Sequence, residues 1–114
     1  MVDRTIYNKN DRSFPYRVWN STTRKYVNIT DWTIWFTVKT NKTDTDDNAL
    51  ILKKITSHTD AVNGLTTVSL SNSDTDLDAG TYYYDLARLD ANGKKRTYLD
   101  GKFIVKQGIT QAVA

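Results

Sequence analysis

Apolar and polar residues alternate along most of this chain with a period of two, the repeat of a half-buried β-strand. Phe14, Tyr16 and Val18 alternate with Ser13, Arg17 and Trp19, and Pro15 near the start of that run suits an edge strand. Asn20-Ser21-Thr22-Thr23 predicts a turn, followed by a short strand whose apolar members are Tyr26, Val27 and Ile29, ending at Asp31. The clearest strand is Trp32 to Lys39. Ile34, Phe36 and Val38 share one face, predicted to enter the core, while Thr33, Trp35 and Thr37 share the other.

Thr40 to Asn48 is wholly polar and predicts a solvent-exposed loop. Ala49 to Ile55 reads as a strand, although seven residues of that composition also suit a helix start. After an Asn63-Gly64 turn, Thr66, Val68 and Leu70 alternate with Leu65, Thr67 and Ser69. Ser71 to Gly80 predicts a helical or Asx-type turn carrying Leu77 inward. In the next strand Tyr82, Tyr84, Leu86 and Arg88 point one way, and Tyr83, Asp85, Ala87 and Leu89 the other. A hairpin loop follows at Asp90 to Gly93, with Gly93 left-handed, and the chain returns antiparallel through Lys94 to Val105. Gly101 predicts a bulge or bend in that long strand.

Seven or eight short strands at such spacing predict an all-β protein, an antiparallel two-sheet β-sandwich, with a small barrel as the alternative. The expected organisation is an N-terminal arm over 1–12, a sandwich domain over 13–107 and a C-terminal arm over 108–114. A length of 114 residues leaves room for one core. Composition agrees with the strand reading: all 13 acidic residues are Asp, a turn former, and none is Glu. The chain has no Cys, which excludes disulfides and thiolate metal sites and leaves the core to hold the fold. Met1 to Asn10 lacks the apolar stretch of a signal peptide, and no run is long enough to span a membrane as a helix. The net charge of +3 is scattered among the Asp residues and forms no basic stripe.

Asp78-Ala79-Gly80-Thr81-Tyr82-Tyr83-Tyr84 resembles the immunoglobulin stretch that opens strand F, including its tyrosine corner. The resemblance makes Asp78, Gly80 and Tyr82 a structural corner. It also puts Tyr84 where the disulfide Cys would stand, so aromatic packing, against Trp32 or Trp35, would pin the sheets together. A broader resemblance runs through Thr33 to Lys39, Gly64 to Leu70, Asp74 to Leu86, Asp90 to Lys94 and Gly101 to Thr110. In order and spacing these segments resemble small phage virion proteins with an immunoglobulin-like fold, similar to the N-terminal domain of phage baseplate upper proteins. The resemblance implies a non-enzymatic structural or adaptor protein of a tail or baseplate, made in the host cytoplasm and located in the virion. Its partners would be other virion proteins and symmetric copies of itself.

Candidate chemistry changes this picture little. His58 is the single histidine, too few partners for Ser-His-Asp or Cys-His catalysis, so no catalytic residue is assigned. Asp74, Asp76 and Asp78, with Asp85 eleven residues after the first, match the outer interval of a calcium loop. Gly80 is one residue late and the terminal Glu is missing, so turn capping explains them better, and neither metal nor cofactor is expected. Asp44, Asp46 and Asp47 read as a solvated loop. Lys53-Lys54, Arg24-Lys25 and Lys94-Lys95-Arg96 are short edge charges of the kind that block aggregation, which sets nucleic acid aside. The candidate interaction surface is Trp19, Trp35 and Tyr83, the last two opposite the predicted core faces. The alternative function is a carbohydrate-binding or adhesive module that uses exposed aromatics.

Overall fold

The alternating pattern builds nine strands in the computed structural model, which describes residues 3–41, 43 and 48–107, with backbone alone at 98 and 99. They are β1 (Arg4–Tyr7), β2 (Arg12–Arg17), β3 (Trp19–Asn20), β4 (Lys25–Tyr26), β5 (Thr33–Lys39), β6 (Ile51–Ile55), β7 (Leu65–Leu70), β8 (Gly80–Leu89) and β9 (Lys95–Lys106). One sheet has five strands in the order β1-β9-β8-β5-β6; β2 pairs with β7 in a second, and β3 with β4 in a small hairpin. All pairs are antiparallel except β1 with β9. The two larger sheets face each other across a single apolar core, so the protein is an immunoglobulin-like β-sandwich.

Inward positions follow the period of two. Ile34, Phe36 and Val38 of β5, Tyr84 and Leu86 of β8, and Phe103 and Val105 of β9 are buried in one sheet. Phe14 of β2 and Thr66, Val68 and Leu70 of β7 are buried in the other. The sheets are joined through rings. Phe36 lies 6.1 Å from Phe14 across the interface, 5.6 Å from Tyr84 and 5.9 Å from Phe103. Tyr84 thus takes part in the aromatic pin, but its ring partners are Phe36 and Phe103, not Trp32 or Trp35. The reason is strand parity: Trp35 faces away from Phe36, and Trp32 precedes β5, where the Arg88 guanidinium covers its ring at 4.5 Å.

The N-terminal segment differs from the expected arm. Residues 4–7 pair in parallel with Phe103–Lys106, and Ile6 is buried in the core. A single apolar side chain is too weak a pattern to announce a strand, and the pairing is supplied by the edge of β9. The predicted C-terminal arm lies outside the described residues.

The irregularity expected at Gly101 lies elsewhere. Leu86 pairs with Leu99 and Ala87 with Thr97, so Tyr98 is the extra residue, and Gly101 sits in register opposite Tyr84. The bulge keeps Phe103 and Val105 facing inward, although a hairpin register counted straight from Asp90–Lys94 would turn both outward.

Turn chemistry closes the ends. Asn20 Oδ1 accepts from the amides of Thr22 and Thr23 in the β3–β4 loop. Asp90 Oδ1 accepts from the amides of Asn92 and Lys94, with Gly93 at φ 81°. Gly64 (φ 75°) follows a single 3-10 turn at Ala61–Asn63, and its carbonyl accepts from the Val18 amide.

Candidate interaction surfaces

Strand parity decides which aromatics leave the core. Odd-numbered residues of β5 and β8 face outward, which places Trp35 and Tyr83 on the outer face of the five-stranded sheet, both half-buried. Trp35 stands opposite Ala87 and Lys54, and Tyr83 opposite Lys39 and Lys102. The Lys95 ammonium lies 5.8 Å from the Trp35 ring. These two residues share a face but not a cluster, because the row Thr37, Asp85 and Asp100 runs between them.

That row floors a cleft of about 210 Å³ that Lys39, Tyr83 and Thr97 help to enclose. Asp85 and Asp100 are direct cross-strand partners, and like charges so placed oppose one another. The alternation of residue types along the chain does not disclose this cleft. Asp100 reaches this face only through the Tyr98 bulge, which no residue pattern announced.

Trp19 belongs to a different surface. It is 52% exposed on the β3–β4 hairpin and meets Tyr26, 47% exposed, edge to face at 4.9 Å. The Arg17 guanidinium caps Tyr26 at 4.5 Å, and Arg24 and Lys25 follow in the same hairpin. Two aromatic rings are thereby held outside the core, on the β3–β4 hairpin. The Asn20 turn and Arg24, at φ 54°, fix the hairpin that displays them.

The Tyr82 hydroxyl donates a hydrogen bond to the Asp78 carbonyl at 2.7 Å. Burial, and secondarily the Asp78 charge, raise the Tyr82 phenol above its ordinary value. His58 is a structural bridge. Its Nε2 lies 2.8 Å from the Trp32 carbonyl and its Nδ1 2.9 Å from the Thr66 hydroxyl. A carbonyl only accepts, so Nε2 carries the proton.

Asp74 caps the turn after β7, accepting from the amide and hydroxyl of Ser71 and pairing with the Lys53 ammonium at 2.8 Å. Partial burial opposes its ionisation. The Lys53 and Ser71 donors outweigh that and hold the carboxyl below its ordinary value. Asp85 lies within β8, on the outer sheet face, rather than closing a loop around Asp74. Among the described residues, no group of three or more His, Asp or Glu side chains is arranged to hold a metal ion.

Fold and surface together define a small immunoglobulin-like sandwich that displays aromatic side chains at one end and a polar cleft on its larger sheet. No protein-family model matches the chain, and no curated protein matches it. Among solved structures, that of murine CRIg is similar, at 12% identity over 93% of this chain and 92% of that one, with a TM-score of 0.41.

Proposed function

We propose that this chain is a non-enzymatic structural or adaptor protein of a phage virion, in the tail or baseplate, working by protein-protein contact. The observation that carries the contact role is the Trp19–Tyr26 pair, two half-exposed rings on a hairpin that the core does not use. Large aromatics beside arginine are the residue types that anchor protein interfaces, where they bring wide contact area at little entropic cost. The virion setting is supported by the order of the strand and turn segments, from Thr33–Lys39 to the closing strand, that resembles phage virion sandwiches. Partner subunits would cover the hairpin end, and symmetric copies of the chain would share one contact geometry.

A carbohydrate-binding role is the alternative, and it draws on a different surface, the polar cleft beside Tyr83. The contact role is tested by mass spectrometry of washed, dissolved particles. The chain should be present, and Trp19→Ala protein, folded as judged by its melting curve, should be lost from them. Wild-type protein absent from the particles contradicts the reading.

A further inference from the structure

Charge is divided unevenly along this chain. The 19 residues from Arg12 to Thr30 hold four cations and no acid, although the whole chain nets only +3, so the other 95 residues sum to −1. Ser71 to Gly80 is the reverse, with three Asp and no cation. The fold separates these segments. Arg17 stands opposite Leu65 and Arg12 opposite Leu70, so the hairpin that follows Arg17 and the turn that follows Leu70 leave the β2–β7 pair at opposite ends. The six residues of strand between them span about 17 Å, too far for the side chains of one copy to meet.

The first segment is shaped for contact. Trp19 and Tyr26 pack edge to face on the β3–β4 hairpin, both about half exposed. The Arg17 guanidinium lies over the Tyr26 ring at 4.5 Å, which holds it in place while its N–H donors can still reach a carboxylate. Arg24 and Lys25 are exposed on the same hairpin. Among the described residues no carboxylate pairs with these three cations, and Asp60, on the loop before β7, is taken by the Asn63 side-chain amide.

The second segment offers the matching groups. Asp74 is spent on Ser71 and Lys53. Asp76 and Asp78 are exposed, and among the described residues neither pairs with a cation. Nucleic acid is the other partner that cations and rings can serve, and the ring geometry disfavours it. Tyr26 has one face under Arg17, and the two rings meet at 69°, so they offer no flat stack for successive bases.

We infer that the Trp19–Tyr26 hairpin of one copy seats on the Asp76–Asp78 turn of the next, with Arg17, Arg24 and Lys25 pairing with the two carboxylates. The two surfaces differ, so the contact is heterologous: each dimer keeps one free hairpin and one free turn, and copies continue into a ring or a stack. The pairing rests on the hairpin acting as a contact surface and names its occupant as a second copy of this chain.

The test is sedimentation velocity of the purified full chain over a range of concentrations. It should pass from monomer to dimer and larger species with a Kd on the order of 100 μM at low salt, and added salt should shift it back towards monomer. Arg24→Gln with Lys25→Gln blocks the hairpin, and Asp76→Asn with Asp78→Asn blocks the turn. Each double variant alone should self-associate at least about tenfold more weakly. Mixed one to one, they should form a dimer and nothing larger, because one intact hairpin and one intact turn remain per pair. Trp19→Ala serves as the hairpin block should the first variant not fold. Wild-type protein that stays monomeric throughout overturns the inference, as does a mixture that does not dimerise, or association that the turn variant leaves unchanged. Tighter binding of a thymidine oligonucleotide than of a second copy at the hairpin also overturns it. A monomeric chain whose Trp19→Ala variant is still lost from particles leaves the contact reading standing with another virion protein as occupant, whereas a monomeric chain whose Trp19→Ala variant is retained sinks both.

Discussion

The Tyr82 hydroxyl donates a 2.7 Å hydrogen bond to the carbonyl of Asp78, four residues upstream, and so ties the start of β8 to the turn that delivers it. Tyr82→Phe keeps the ring and removes the donor. Stability should fall by about 1 kcal/mol, seen as a lower urea midpoint with an unchanged slope. The phenol titrates higher in the fold than in the unfolded chain, and burial raises Tyr84 likewise, with Arg4 partly offsetting it. A raised acid favours the native state below its unfolded value of about 10. That contribution is lost as pH climbs through the folded values, and Tyr82→Phe should flatten this alkaline decline.

Phe36 is the ring through which the two sheets meet, touching Phe14, Tyr84 and Phe103. Phe36→Ala should cost about 3–5 kcal/mol. Total stability of a small domain is about 5–15 kcal/mol, so this variant should be partly unfolded or melt far earlier in calorimetry. Trp35→Ala, on the outer face, should cost much less.

Gly64 and Gly93 both hold positive φ, at 75° and 81°, but only Gly64 is enclosed. A β-carbon there would lie 2.7 Å from the Val27 carbonyl oxygen and 2.8 Å from that of Val18, whereas nothing lies within 4 Å of one at Gly93. Gly93→Ala should cost about 1–2 kcal/mol from backbone strain alone. Gly64→Ala should cost clearly more, as compared by thermal melts of the two variants.

Much of this fold was legible because parity along a strand is read directly from residue type. Ile34, Phe36, Val38, Val68, Leu70, Tyr84 and Leu86 all enter the core as their alternation predicts. β1 was not legible, since Ile6 is its one core residue and its pairing is supplied by β9. The cleft was hidden for a related reason. Counting back from the Asp90–Lys94 hairpin sets Asp100 opposite Tyr84, on the inner face, and only the extra residue Tyr98 moves it beside Asp85. Trp19, Trp35 and Tyr83 were legible as outward residues, but not that they belong to two surfaces, which depends on where the β3–β4 hairpin leaves the sandwich.

Asp74 ties the turn after β7 to β6 through Lys53. Its folded value lies below the unfolded value of about 3.9, so its contribution is present above that pH and is lost as pH falls through the folded value. With both side chains partly exposed, solvent screening holds the effect under about 1 kcal/mol. Asp74→Asn should therefore be slightly less stable than wild type at pH 6. The two urea midpoints should converge towards pH 2, and added salt should narrow the gap at pH 6.

The central claim, that the chain is a built-in part of a virion, is tested most directly by immunogold electron microscopy of particles from a lysate that expresses it. Antibody raised against the chain should decorate intact particles at one fixed position on the tail or baseplate. Particles without label, together with absence of the chain from dissolved virions, would contradict the account.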